Sequence, residues 1–299
     1  MREDKVREIF QRLHRAWGPQ HWWPAETKFE MIVGAYLTQN TAWTNVELAL
    51  ARLQAADALN IDGVRRIPIA DLEDLVRPAG YFRQKAARLK QFVVHLDAKY
   101  SSIASKAAGL SQHDRDELAL RAMLARHSDE LRAELLALNG VGPETADSIL
   151  LYAGLHPIFV VDAYTKRIFS RHHLVSEDAK YEDMRALIES ALRNENCERF
   201  NCPTQANNGP EWATDLESPA NEIASSCAQT AEQEPFRPPV HPPSMLSQLR
   251  RSETAQVFAE FHGLLVQVGK HFCLKQQPRC EQCPLRDSLP KPPERVRKA

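Results

Sequence analysis

Apolar residues recur at three- and four-residue spacing along most of this chain, the pattern of amphipathic helices. Between Arg2 and Trp17 they fall at Val6, Ile9, Phe10, Leu13 and Trp17, and Gly18-Pro19 then stops the run. The same spacing predicts helices over 28–37, 43–55, 70–77, 84–98, 115–126, 129–138, 144–153, 163–171, 181–193 and 254–270. Alternating apolar and polar positions are missing apart from Ile158-Phe159-Val160-Val161. Between two helices that tetrapeptide reads better as a buried extended connection than as a strand. The expected fold is all-α, with ten or so helices divided between two lobes.

Residues 196–246 break the pattern. Eight of the chain's 19 prolines lie between 203 and 243, among Asn, Glu, Ser, Thr and Gln. Such a composition buries too little apolar surface to offset its ordering entropy, so a disordered insertion is expected, with Trp212 and Phe236 as its few anchors. The segment holds seven acidic and two basic side chains, and its −5 leaves +4 on the rest of a chain whose net charge is −1. A mildly basic body suits contact with a few phosphates, as it suits many ordinary enzymes. The N-terminal pattern lacks a signal peptide's apolar core, and no run approaches the roughly 20 apolar residues of a membrane span. A soluble, cytoplasmic monomer is therefore expected, nucleoid-associated if bacterial, with no membrane partner.

The strongest local signal is Leu135 to Ala153. A helix ends at Leu138, Gly140-Val141-Gly142 follows, and Pro143 sits where a new helix can spare an N–H. Glycines let the backbone approach another molecule closely, and the free N–H groups and dipole of a helix start favour an anion. Val141 would anchor the turn in the core. An ordinary helical corner with a glycine cap is the plainer alternative. Downstream stands Phe159-Val160-Val161-Asp162-Ala163-Tyr164-Thr165-Lys166-Arg167-Ile168. Asp162 is a natural N-cap for 163–171.

Hairpin, helix and the Val-Val-Asp motif, in this order, resemble the endonuclease III (helix-hairpin-helix) superfamily of DNA glycosylases. The resemblance implies a six-helix barrel lobe over 26–152 and a second lobe from 1–25 and 153–295, carrying the insertion at 196–246 and a Cys-rich loop. It implies double-stranded DNA with a damaged base as partner, with Gly140, Val141, Gly142, Glu144 and Thr145 at its backbone. Asp162 then stands at the family's catalytic carboxylate. Phe29 to Val33 and Leu37-Thr38-Gln39-Asn40-Thr41 resemble the first barrel helix and its turn, where a glutamine, here Gln39, enters the space left by a flipped base. Gly80 to Leu89 resembles a glycine-started helix beside the phosphates, which implicates Arg83 and Lys85. Taken singly, these are as readily a solvated helix face.

Bifunctional members attack C1′ with a lysine. Glu144 holds that register here and cannot form a Schiff base. Lys166 is off register. Base removal without strand cleavage is thus expected. His21-Trp22-Trp23-Pro24 and Trp43 resemble the base pocket of the 3-methyladenine DNA glycosylase III branch, although core packing would equally use adjacent tryptophans. A cationic alkylated purine gains about 0.5–2 kcal/mol from a well-placed indole face. Alternatives are an endonuclease III-like enzyme for oxidised pyrimidines and a non-catalytic DNA-damage-binding protein.

Cys273-x6-Cys280-x2-Cys283 resembles the family's four-cysteine [4Fe–4S] loop, but the fourth position is Leu289. Zinc with three Cys and one His, and a site that has lost its metal as in the 3-methyladenine branch, are the alternatives. His271 is near in sequence but off register. The expected chemistry itself needs no cofactor.

Overall fold

The computed structural model describes residues 2–105, 109–193 and 236–289. Every regular element among them is helical, and Ile158–Val161 is a buried extended connection. The helices are α1 (Arg2–Trp17), α2 (Lys28–Leu37), α3 (Trp43–Ala55), α4 (Ile61–Arg66), α5 (Ile69–Val76), α6 (Phe82–Ser105), α7 (Gln112–Leu124), α8 (Ser128–Leu136), α9 (Pro143–Ser148), α10 (Ala163–Arg171), α11 (Tyr181–Arg193) and α12 (Glu253–His271). Residues Ile149–Ala153 continue α9 as a π-helical turn.

Helix starts follow local chemistry. Thr27, Asn60, Ser111, Asp162 and Ser252 each accept a backbone N–H from the first turn they precede. Helix α4 has no counterpart in the apolar spacing. It is a six-residue helix capped by Asn60, and its first residue Ile61 is buried with Val64, a spacing too short to register as a period.

Helices α2 to α7 pack on one another, with α6 against α4, α5 and α7. The second group is α1, α10 and α11 gathered on α12. Helix α12 is buried from Val257 to Gly269, so it reads as a core rod rather than a surface helix. The π turn touches α2, α8 and α12 and so bridges the two groups. The hairpin between α8 and α9 is braced from behind. Arg132 Nε donates to Asp147 Oδ1 at 2.6 Å, and Tyr181 OH donates to Asp147 Oδ2 at 2.8 Å.

Trp212 and most of the expected insertion, residues 194–235, lie outside the described residues. Its last part departs from expectation: 236–246 pack on the body. Phe236 packs edge-on against Phe272, Ser244 Oγ donates to Trp23 O at 3.3 Å, and Leu246 N donates to Ala25 O at 3.2 Å. Proline-rich composition removed the helical signal here, but backbone hydrogen bonds and one buried leucine suffice to dock a short strap. No helix among the described residues is long and apolar enough to cross a membrane.

Candidate active site

Asp162 caps α10 as its sequence suggests, its Oδ1 accepting from Thr165 N at 2.7 Å. Its Oδ2 lies 3.7 Å from His262 Nε2 on α12, an ion-pair distance too long for a hydrogen bond. The side chain is 11% exposed. Burial pushes the carboxyl pKa up, but His262 and the Thr165 amide outweigh it and leave it below its ordinary value. His262 is held in turn by Tyr152 of the π turn, whose hydroxyl is 2.6 Å from Nδ1. A π turn shifts side-chain register relative to an α-helix, a device frequent at functional sites. Tyr152 and His262 carry no motif in the sequence, because only folding brings the π turn, α10 and α12 together.

Glu144 stands in the first turn of α9. Its residue surface is open, yet its carboxyl is crowded by protein. That desolvation, together with the Asp162 carboxylate, raises its pKa to about 7, with His262 opposing. Two neighbouring carboxyls are therefore pushed in opposite directions, Asp162 down and Glu144 up.

The hairpin matches its expectation in geometry. Gly140 has φ +77°, Val141 is buried and Gly142 caps α9 with open space about it. Thr145 is buried behind it. Gln39 is tied down: its Nε2 donates to Gly140 O at 3.0 Å and to Thr145 Oγ1 at 2.9 Å, while Arg88 Nη1 donates to its Oε1 at 2.6 Å. Entering a duplex would require it to leave all three.

Arg83 is 80% exposed, its Nε 3.8 Å from Glu73 Oε2, and its guanidinium faces solvent where a phosphate could compete for it. Lys85 is not. It is 1% exposed, and its Nζ donates to Leu37 O at 2.9 Å, Thr41 Oγ1 at 2.7 Å and Ala79 O at 2.7 Å. The expected phosphate contact is thus corrected to a structural staple joining the turns after α2 and before α6. Burial, then the nearby Arg88, pushes its pKa down to about 8. A helix-face pattern could not show this, since Lys85 shares its spacing with exposed Arg83 and Gln84.

Trp22, Trp23 and Trp43 form one cluster, with ring centroids 5.3 to 5.8 Å apart. Trp22 and Trp23 are each 5% exposed, and Trp43 is the partly open member. His241 of the strap packs on Trp22 at 5.3 Å, and Tyr152 meets Trp23 at 5.5 Å. Lys270 Nζ lies 5.2 Å from the Trp22 ring, its pKa lowered by burial while the acidic Glu47 and Asp162 oppose the shift. Among the described residues the buried Trp22 indole N–H has no hydrogen-bond partner.

Cys273, Cys280 and Cys283 line one cavity with His172, Arg171, Leu285, Arg286 and Leu289. Burial, then the other two thiols, raises the Cys283 pKa to about 11. His271 is elsewhere, packed on Phe236. A cluster held by four thiolates does not fit, because the fourth position is the apolar side chain of Leu289.

The model for the HhH-GPD superfamily of base excision DNA repair proteins matches residues 33–194. A Methanocaldococcus jannaschii protein named as a DNA repair glycosylase is 43% identical over 195 residues, 64% of this chain and 82% of its own length. Among solved structures, an endonuclease III–DNA complex superposes with TM-score 0.61 at 17% identity, covering 99% of each chain. Helicobacter pylori 3-methyladenine DNA glycosylase, bound to 1,N6-ethenoadenine, gives 0.54 at 23%, covering 90% of this chain and 95% of its own. These last two speak to fold. With its helical hairpin and capped aspartate, the chain belongs to the HhH-GPD superfamily of base excision DNA repair proteins.

Proposed function

We propose that the protein is a monofunctional DNA glycosylase that removes alkylated purines, 3-methyladenine foremost. The carrying observation is the pair of neighbouring carboxyls whose pKa values are pushed apart, with Glu144 in the lysine's register. Pairs separated in this way mark acid and base roles. A base inside a duplex must first be extruded. As the N-glycosidic bond breaks, its electron pair leaves with the base and positive charge grows on the sugar. Ionised Asp162 stabilises that charge and orients the water whose oxygen bonds to C1′. Glu144, titrating near neutrality, exchanges protons with the water or the leaving base. The hairpin amides hold a phosphate, and Arg83 adds a charge contact.

The tryptophan cluster supports a flat, electron-poor base. Lys270 over Trp22 opposes a cationic one. The same residue favours a second reading. A partly buried lysine with lowered pKa near Asp162 has the character of a Schiff-base nucleophile, which would make the enzyme bifunctional.

Duplexes carrying 3-methyladenine, thymine glycol or no lesion separate these readings when free base and strand nicks are measured apart. Methyladenine release without nicking is expected. Nicking that borohydride traps, and that Lys270→Met abolishes, would establish the second reading instead. Binding without release of either base would leave only a damage-binding protein. Asp162→Asn should abolish release and keep DNA affinity, because asparagine caps α10 about as well as aspartate. Near-normal turnover in that variant refutes the role given to Asp162.

A further inference from the structure

We propose that Tyr181 is a positioning residue for Asp162, its hydroxyl setting the distance between the hairpin helix and the carboxylate. That role depends on the glycosylase reading above and adds to it a residue that acts without touching the substrate.

Asp162 follows directly on the extended connection Ile158–Val161, which pairs with no strand among the described residues. Its buried amides must therefore find acceptors elsewhere. Two of them find side chains of α11. Phe159 N donates to Glu189 Oε1 at 2.9 Å, and Val161 N donates to Tyr181 Oη at 3.3 Å. Amides two apart in extended backbone point the same way, so one helix can receive both.

The two acceptors differ in what lies behind them. Glu189 is backed by Arg193 of its own helix, at 2.9 Å. Tyr181 instead donates its proton to Asp147 Oδ2 at 2.8 Å. Asp147 lies on α9, the helix that Gly142 caps; it is fully buried and also accepts from Arg132 Nε of α8. A single phenol oxygen thus holds the peptide next to Asp162 with a lone pair and the hairpin helix with its proton. A hydroxyl can do both; an ionised carboxylate only accepts and an ammonium only donates. Burial, then the Asp147 carboxylate, pushes the Tyr181 pKa up, so the proton stays in place to be donated.

Thr165 and His262 set the orientation and charge of Asp162, but they belong to α10 and α12. Tyr181 gives the Asp162 loop a direct hydrogen-bonded link to α9. Phosphate and C1′ belong to one nucleotide chain, so grip and carboxylate must be spaced to match, and a misplacement of about 1 Å can cost about a hundredfold in rate.

The test compares Tyr181→Phe with Tyr100→Phe in the full chain. Tyr181→Phe leaves Asp147 paired with Arg132. The control removes a like hydroxyl from another buried carboxylate, Glu134, which keeps His95, Lys99 and Arg126. Base release is followed in single turnover, on the lesion that the wild type processes, to isolate chemistry from product loss. Tyr181→Phe should slow it roughly ten- to a hundredfold, with affinity for undamaged duplex kept within about twofold. The acidic limb of its release–pH profile should stay fixed, because Thr165 and His262 are untouched. Val161 amide exchange should rise, while Phe159 stays protected by Glu189. A rate within about twofold of wild type, an equal slowing in Tyr100→Phe, or unchanged Val161 exchange overturns the proposal. Wild-type protein that releases no base, while Val161 exchange still rises in Tyr181→Phe, overturns instead the glycosylase reading beneath it.

Discussion

Replacing Gly142 by alanine isolates the hairpin's grip on DNA from its role in the fold. Gly142 has φ −95° and ψ 176°, backbone that alanine adopts freely, and a Cβ built there meets no heavy atom within 4 Å. Alanine lowers the entropy of the unfolded chain, a gain of about 0.4–1 kcal/mol. It caps a helix less well than glycine, a loss of several tenths of a kcal/mol or more. The two nearly cancel, so the melting temperature should move by no more than about 2 °C. On the proposed reading, the added methyl stands where a phosphate approaches the α9 amides. A hydrogen bond to a charged group contributes about 1.5–3 kcal/mol, so its loss weakens affinity roughly 10- to 150-fold. Fluorescence anisotropy with an undamaged duplex at one fixed salt concentration measures this, beside a thermal melt. Gly140→Ala is the contrasting variant. Its φ is +77°, and a Cβ would stand 2.0 Å from Arg88 Nε, so left-handed strain of about 1–2 kcal/mol should lower the melt by about 2 to 8 °C. If Gly142→Ala melts and binds like wild type, the hairpin is not the phosphate grip.

Other variants test other parts. Lys85→Met leaves the Leu37 and Ala79 carbonyls and the Thr41 hydroxyl without their shared donor, so stability should fall by about 2–4 kcal/mol in a denaturant titration. The salt dependence of DNA binding should be unchanged by Lys85→Met, whereas Arg83→Ala should lower the log–log slope by about 0.9. Glu144 has a raised pKa, so the folded state holds its proton longer than the unfolded chain does. Its contribution to stability is present below the unfolded carboxyl pKa of 4.5 and is lost as pH rises to about 7. Glu144→Gln should flatten the decline of melting temperature across that window, and an unaltered decline would refute the assignment. His262→Ala removes the first group opposing burial at Asp162, so the acidic limb of the release–pH profile should move to higher pH; a limb that stays fixed would sever His262 from Asp162.

Much of this was legible along the chain because it is local. Helix periods, the glycine hairpin and the Asp162 cap each depend on residues within one turn of one another, and the structure has them at the expected positions. What was not legible depends on distant elements meeting. Lys85 carries the same charge whether it faces water or staples two turns, and only packing decides. Tyr152, His262, Lys270 and His172 have no spacing relation to Asp162 or to the cysteines, since α10 and α12 approach across some ninety residues of chain. The strap at 236–246 was hidden by prolines, which erase helical periodicity without forbidding an extended segment from docking.

The two oxygens of Asp162 have separate duties. Oδ1 is committed to the Thr165 amide, and the opposite side of the carboxyl faces His262, itself fixed by Tyr152. The group therefore cannot swivel without unwinding the start of α10. In the proposed reaction, reorganisation that water would have to perform as charge builds on a sugar is carried out in advance, during folding. A helix cap thereby becomes a preset electrode, and its alignment is as stable as the helix that it begins.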